Sequence, residues 1–197
     1  MARRQGKPNK QALPGRLRIV AGKWRSRLLH IADVQGLRPT SERVRETLFN
    51  WLVPRLGGAR CLDLFAGTGA LGLEALSRGA ASVVFVDNSP QAISTLRQNA
   101  ESLQADAATI IKADAREYLR QASQGPFDIV FLDPPYALDA LGEYCGLLAE
   151  SGVLRTGALL YIEDDDRRAW PEMPAGWNID KERKAGNVRY ALVSTSS

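Results

Sequence analysis

The stretch Arg60-Cys61-Leu62-Asp63-Leu64-Phe65-Ala66-Gly67-Thr68-Gly69-Ala70-Leu71-Gly72 decides the reading of the fold. An apolar run of strand length, Arg60 to Phe65, passes into a glycine-rich turn, and the turn opens onto a helical pattern that stops at Gly79, a fitting left-handed C-cap. The glycines satisfy G-x-G-x-x-G. They permit a tight turn and let backbone NH groups approach a ligand at the start of the helix.

Downstream the same alternation repeats. Strands are expected at Ser82 to Asp87, Ala108 to Lys112, Phe127 to Leu132 and Ala158 to Glu163, with helical stretches between them. Alternating β and α units with apolar strands imply an α/β fold, a parallel sheet covered on both faces by helices. The tail differs: Trp177 to Lys184 and Asn187 to Val193, joined through Ala185-Gly186, read as a hairpin that adds an antiparallel strand at one end of the sheet.

Open α/β sheets bind ligands beyond the carboxyl ends of their strands, so the residues that end each strand carry the functional information. Asp87 ends the second strand, where a carboxylate can accept both hydrogen bonds of a ribose diol; with the glycine loop, this suits NAD almost as well as S-adenosylmethionine. Asp63 favours the latter. A carboxylate upstream of the glycines would repel a pyrophosphate, whereas it could pair with an amino-acid ammonium. The fourth strand then ends in Asp133-Pro134-Pro135-Tyr136, a tetrapeptide suited to methylating an amino group. An exocyclic amino nitrogen is a poor nucleophile because its lone pair is delocalised into the ring. If the Asp133 carboxylate and the Pro134 carbonyl each accept one amino hydrogen, that lone pair can turn toward a sulfonium methyl. The two prolines stiffen the loop and Tyr136 offers a face on which an extruded base can stack. Asp114 follows the third strand, placed either to read an adenine edge or to cap the next helix. Asp164-Asp165-Asp166 is expected to be an exposed helix start rather than a metal cluster, and no metal is expected.

The chain has 197 residues and a net charge of +4, unevenly spread. Nine Lys and Arg precede the first acid, Asp33, leaving seventeen bases against twenty-two acids, a net −5, in the rest. A basic arm before an acidic body suits a polyanion, since each phosphate neutralised releases counterions. From Arg16 the bases are interleaved with apolar residues around Gly22, suggesting a two-stranded ribbon that presents Arg16, Arg18, Lys23 and Arg25. The following segment places Val44, Leu48, Trp51 and Leu52 at helical spacing behind a Thr40 or Ser41 cap, with Arg38, Arg43 and Arg45 crowding the helix start as candidate RNA contacts. His30 has no carboxylate or serine partner nearby in sequence, and Cys61 and Cys145 read as buried free thiols. No stretch approaches the roughly 20 apolar residues of a membrane helix, and the start lacks the apolar region of a secretory signal, so a soluble cytoplasmic protein is expected.

Together, Arg38-Pro39-Thr40 through Val44-Arg45-Glu46, Asp63-Leu64-Phe65-Ala66-Gly67-Thr68-Gly69 and Asp133-Pro134-Pro135-Tyr136 resemble the bacterial RsmD family. The resemblance spans about Arg16 to Val193. It implies a Rossmann-like class I methyltransferase fold with a mostly parallel seven-stranded sheet and an N-terminal β-hairpin extension. It divides the chain into a basic arm (1–15), the extension (16–37) and the methyltransferase domain (38–197). It further implies S-adenosylmethionine as methyl donor, held by Asp63, Phe65, Gly67, Gly69, Asp87, Asn88, Asp114 and Ala115, with S-adenosylhomocysteine as product. The substrate implied is the N2 amino group of a guanine in 16S rRNA, within a small ribosomal subunit or an assembly intermediate, with RNA contacts through Arg16, Arg18, Lys23, Arg25, Arg38, Thr40, Arg43 and Arg45; a monomer is the default expectation, independent of the resemblance. Asp87 stands where the family often has glutamate. From the residues alone, an adenine-N6 methyltransferase, a non-catalytic RNA-binding assembly protein and a nicotinamide oxidoreductase remain alternatives.

Overall fold

The computed structural model describes residues 15–31, 41–121, 124–135 and 139–196. The arm at 1–13 and the expected site residues Arg38, Thr40 and Tyr136 lie outside these. β1 (Arg16–Arg18) and β2 (Leu28–His30) form the expected ribbon, Leu17 facing Leu29. Then come α1 (Glu42–Leu56), β3 (Arg60–Asp63), α2 (Ala70–Ser77), β4 (Ser82–Asp87), α3 (Pro90–Leu103), β5 (Ala108–Lys112), α4 (Ala115–Gln121), β6 (Phe127–Leu132), α5 (Leu141–Glu150), β7 (Leu154–Asp165), β8 (Asn178–Ala185) and β9 (Val188–Ser194).

Seven strands make one sheet in the order β5-β4-β3-β6-β7-β9-β8. The first five in that order are parallel, and β9 is antiparallel to both β7 and β8. The chain therefore starts mid-sheet at β3, builds outward to β5, and returns to the other side of β3 with β6. That reversal leaves a crevice beyond the carboxyl ends of β3 and β6. Side chains alternate between two cores: Cys61, Phe85, Phe131 and Tyr161 pack against α1, α2 and α3, while Leu62, Val84, Val130 and Leu160 pack against α4 and α5. Because both faces are covered, the central strands are apolar at nearly every position. At the open edge, β8 exposes Lys181, Glu182, Arg183 and Lys184, charges that discourage pairing with another chain.

Ser41 caps α1, its Oγ accepting from the Val44 NH at 3.3 Å. The helix continues through Pro54 to Leu56. Arg55, in its last turn, donates to the Gly157 carbonyl at 3.0 Å, so α1 runs from the carboxyl edge of the sheet toward the amino edge.

The expectation that Arg45 faces RNA is corrected. Its side chain is fully buried, with Nη1 3.4 Å from Glu74 Oε2 and Nη2 donating to the Arg18 carbonyl at 2.8 Å. Glu74, also fully buried, accepts from the NH groups of Val20 (2.8 Å) and Ala21 (3.0 Å) and from Arg78 Nε (2.6 Å). A single carboxylate thus fastens the ribbon and α1 to α2. Leu17, Ile19, Trp24 and Leu29 complete the attachment by joining the α1–α2 core. Asp164-Asp165-Asp166 is likewise no helix start: β7 ends at Asp165, and buried Asp164 lies 3.5 Å from Arg189 on β9.

Candidate active site

Backbone hydrogen bonds lace four strand exits into one rim. The Leu64 NH donates to the Phe131 carbonyl (3.1 Å), joining β3 to β6; the Ala66 NH donates to Val86 (2.9 Å), joining the glycine loop to β4; the Ala113 NH donates to Asp87 (3.1 Å), joining β5 to β4. Gly67 (φ 51°) and Gly69 (φ 84°) adopt the left-handed conformation that the turn requires. Gly72 is needed for another reason. A Cβ there would lie 2.2 Å from Phe85 Cε1, so its absence lets α2 sit close on β4.

Asp63 ends β3 beneath this turn, 3% exposed, and Oδ2 accepts from the Gly72 NH at 3.0 Å. It thereby caps α2, whose N-cap Gly69 has no side chain to do so. Among the described residues no Lys or Arg forms an ion pair with it. Burial pushes its carboxyl up to about 7; the Gly72 NH works against that rise, and the nearby Asp87 charge adds to it. A buried carboxylate in this state would be stabilised by an external cation.

Asp87 spends one lone pair of each oxygen on the loop: Oδ2 accepts from the Gly67 NH and Oδ1 from the Ser89 NH, both at 2.8 Å. Asn88 beside it is exposed. Asp114 caps α4, its Oδ1 accepting from Arg116 (2.8 Å) and Glu117 (3.3 Å), and Ala115 is buried beneath it. Phe65 packs edge-on against Tyr144 of α5, centroids 4.9 Å apart. Following β6, Asp133 is half-buried, Pro134 buried and Pro135 exposed. After this loop Asp139 is tied back by Arg168 (2.9 Å), which also lies 3.6 Å from Asp164. No group of acids, cysteines or histidines among the described residues could hold a metal ion.

A family model described as conserved hypothetical protein 95 matches residues 17–194. Over 186 residues, 94% of this chain and 93% of the relative, the sequence is 44% identical to ribosomal RNA small subunit methyltransferase D of Escherichia coli strain K12. The chain belongs to that methyltransferase family. The Haemophilus influenzae protein of the same name is 40% identical over 181 residues, covering 90% of this chain and 93% of its own. Among solved structures, yhhF from Escherichia coli is similar with a TM-score of 0.84 and 41% identity, over 93% of this chain and 99% of that one. An RNA methyltransferase from Salinibacter ruber, solved with S-adenosyl-L-homocysteine, shares the fold at 17% identity and a TM-score of 0.63, over 81% of this chain and 95% of that one.

The family's expected rim residues Asp63, Phe65, Gly67, Gly69, Asp87, Asn88, Asp114, Ala115, Asp133, Pro134 and Pro135 all fall at the exits of β3 to β6. The basic set divides. Arg16, Arg18, Lys23 and Arg25 are exposed on the ribbon and Arg43 on α1, whereas Arg45 is internal. Lys23 also binds the C-terminal end of α2, its NH donating to the Ser77 carbonyl at 2.8 Å. The ribbon tip thus sits some 12 Å from the rim, about the length of an eight-residue helix. Sequence reading missed Glu74 and Asn99. Each was detectable as a polar residue in an apolar helical phase, Asn99 falling among Leu96, Ala100 and Leu103.

Proposed function

We propose that this methyltransferase transfers the methyl group of S-adenosylmethionine to the N2 amino group of a guanine in 16S rRNA of the small ribosomal subunit. The observation that carries the chemistry is the juxtaposition, on neighbouring strands β3 and β6, of a buried carboxylate lacking a described cation partner with an Asp-Pro-Pro exit. The relatives named for small-subunit ribosomal RNA support the substrate.

The residues present fit the cofactor. Asp63 would receive its ammonium, the Gly67–Gly69 turn would allow close backbone approach, and Asp87 retains lone pairs for the ribose diol beyond those given to Gly67 and Ser89. Phe65, Asn88, Asp114 and Ala115 would border the nucleoside. When bound, the cofactor supplies an electrophilic methyl. This chain's part is to hold the amino nitrogen in line with that methyl: Asp133 and the Pro134 carbonyl accept its hydrogens, Pro135 stiffens the loop, and Tyr136 stacks on the base. Positioning of this kind can supply roughly 7 to 11 kcal/mol of barrier lowering. Guanine N2 lies on the minor-groove edge, so the base must be unpaired or extruded. Exposed Arg16, Arg18, Lys23, Arg25 and Arg43, with Arg38 and Thr40, would hold the RNA backbone. The protein acts as a cytoplasmic monomer, with residues 16–37 gripping RNA and 38–197 carrying the chemistry.

The test is transfer of labelled methyl from S-adenosylmethionine to unmethylated small ribosomal subunits, followed by nucleoside analysis. Labelled N2-methylguanosine is the expected product. Label in adenine would keep the chemistry and overturn the base; no label in any RNA would overturn the assignment.

A further inference from the structure

Asn99 lies in α3, fully buried, and its amide is divided between two parts of the molecule. Oδ1 accepts from the His30 NH at 2.9 Å and Nδ2 donates to the His30 carbonyl at 3.0 Å, so the amide grips both backbone groups of one β2 residue. The second Nδ2 hydrogen goes to the Thr68 carbonyl at 3.1 Å. Thr68 stands between Gly67 and Gly69 and is itself 2% exposed. One side chain therefore touches the backbone of the basic ribbon and that of the glycine turn.

Other ribbon attachments lie farther along α2 and α3. Val20 and Ala21 bind Glu74, and the Trp24 NH donates to Ser77 Oγ at 3.0 Å, both on α2, the helix that begins at the glycine turn. Arg27 Nη2 donates to the Ser102 carbonyl at 2.7 Å at the far end of α3. A shift of β2 relative to α3 cannot keep the His30 pair and the Thr68 bond together, because a planar amide has fixed donor and acceptor directions.

We infer that Asn99 is a positioning residue that couples the RNA-binding ribbon to the cofactor-binding turn, so that RNA and cofactor each tighten the binding of the other. The inference rests on the proposed function for the identity of the two ligands. Linkage requires the coupling to be reciprocal, and coupling between sites typically amounts to roughly 5- to 150-fold in affinity.

The experiment measures the affinity of the fluorescently labelled full chain for unmethylated small ribosomal subunits, with and without saturating S-adenosylhomocysteine. In the natural chain the product should tighten binding roughly five-fold or more. Asn99→Asp keeps the acceptor for the His30 NH but places a second acceptor against the carbonyls of His30 and Thr68. In that variant the ratio should fall to below two-fold, whatever the separate affinities. A structural role alone would weaken binding without collapsing the ratio. A second measurement needs no variant: amide hydrogen exchange at His30 in the natural chain should slow when S-adenosylhomocysteine is added. Absence of tightening in the natural chain, an undiminished ratio in a folded Asn99→Asp, or indifferent exchange at His30 would each overturn the inference. Should the natural chain bind S-adenosylhomocysteine and methylate guanine N2 yet show no linkage, the inference fails alone; without that binding and product, the proposed function fails.

Discussion

Lowering the pH from 8 to 6 should weaken S-adenosylhomocysteine binding about ten-fold through Asp63 alone. On the role proposed for Asp63, the ligand's ammonium requires the ionised carboxylate, whereas burial holds the carboxyl of the ligand-free chain at about 7. Binding must then expel a proton whenever the group is protonated beforehand, so the apparent Kd scales as one plus ten to the power of 7 minus pH, near 1.1 at pH 8 and about 11 at pH 6. The sign for folding is separate. A carboxyl raised above its unfolded value stabilises the ligand-free fold fully below the ordinary carboxylate pKa, and that contribution is lost as pH rises through about 7. The thermal midpoint of the ligand-free chain carries this falling component over the interval in which ligand affinity rises. Titration calorimetry at pH 6 in buffers of different ionisation enthalpy should reveal about 0.9 proton released per ligand, and almost none at pH 8. Asp63→Asn, which keeps an acceptor for the Gly72 NH, should bind weakly and without this pH dependence. A Kd constant from pH 8 to 6, with enthalpies independent of buffer, would refute the reasoning.

Asp133→Ala should abolish methyl transfer while leaving calorimetric S-adenosylhomocysteine binding within about three-fold, about 0.6 kcal/mol; near-normal turnover would remove Asp133 from the chemistry. Arg45→Ala should destabilise the fold by roughly 3 kcal/mol, the lower end for breaking a buried ion pair, because Arg78 still neutralises part of Glu74; urea unfolding checks this, and a loss below 1 kcal/mol would contradict it. Gly72→Ala forces a methyl against Phe85 and should cost about 1 to 3 kcal/mol, read as a lowered thermal midpoint. Replacing Arg16, Arg18 and Arg25 by Gln should flatten the salt dependence of RNA binding, the logarithmic slope falling by up to about 2; an unchanged slope would return these residues to solvent.

The strands β4, β5 and β6 were legible to the residue because sharp turns bound apolar runs on both sides. β3 stops at Asp63, short of the expected Phe65, because the turn into the glycine loop already begins at Leu64, although the Leu64 NH still donates to the Phe131 carbonyl on β6. β7 begins at Leu154, ahead of the expected Ala158, with a register irregularity opposite Phe127 and Ile129 that an isolated sequence does not display. Among the candidate site residues, the shared location of those at strand exits was readable because topology alone fixes where exits gather. Arg45 was misread by its charge, although its phase with Leu48, Phe49 and Leu52 places it on the buried stripe. What that phase could not reveal was the neutralising partner, Glu74, twenty-nine residues away. The acids at 164–166 failed for the same reason, with Arg189 twenty-five residues beyond Asp164.

On the RNA-contact role proposed for the ribbon, the manner of its attachment bears on how this enzyme could change its target. A recognition element joined by a flexible tether can be exchanged like a cassette, leaving the catalytic body intact. Here Glu74 and Ser77 bind the ribbon's backbone from inside α2, and Leu17, Ile19, Trp24 and Leu29 fill the same core as α1. Transplanting a foreign hairpin would strand a buried carboxylate and open a hole beneath the first helix. New specificity must therefore arise by altering the ribbon's outward side chains in place, while its inward face and the catalytic body change in concert.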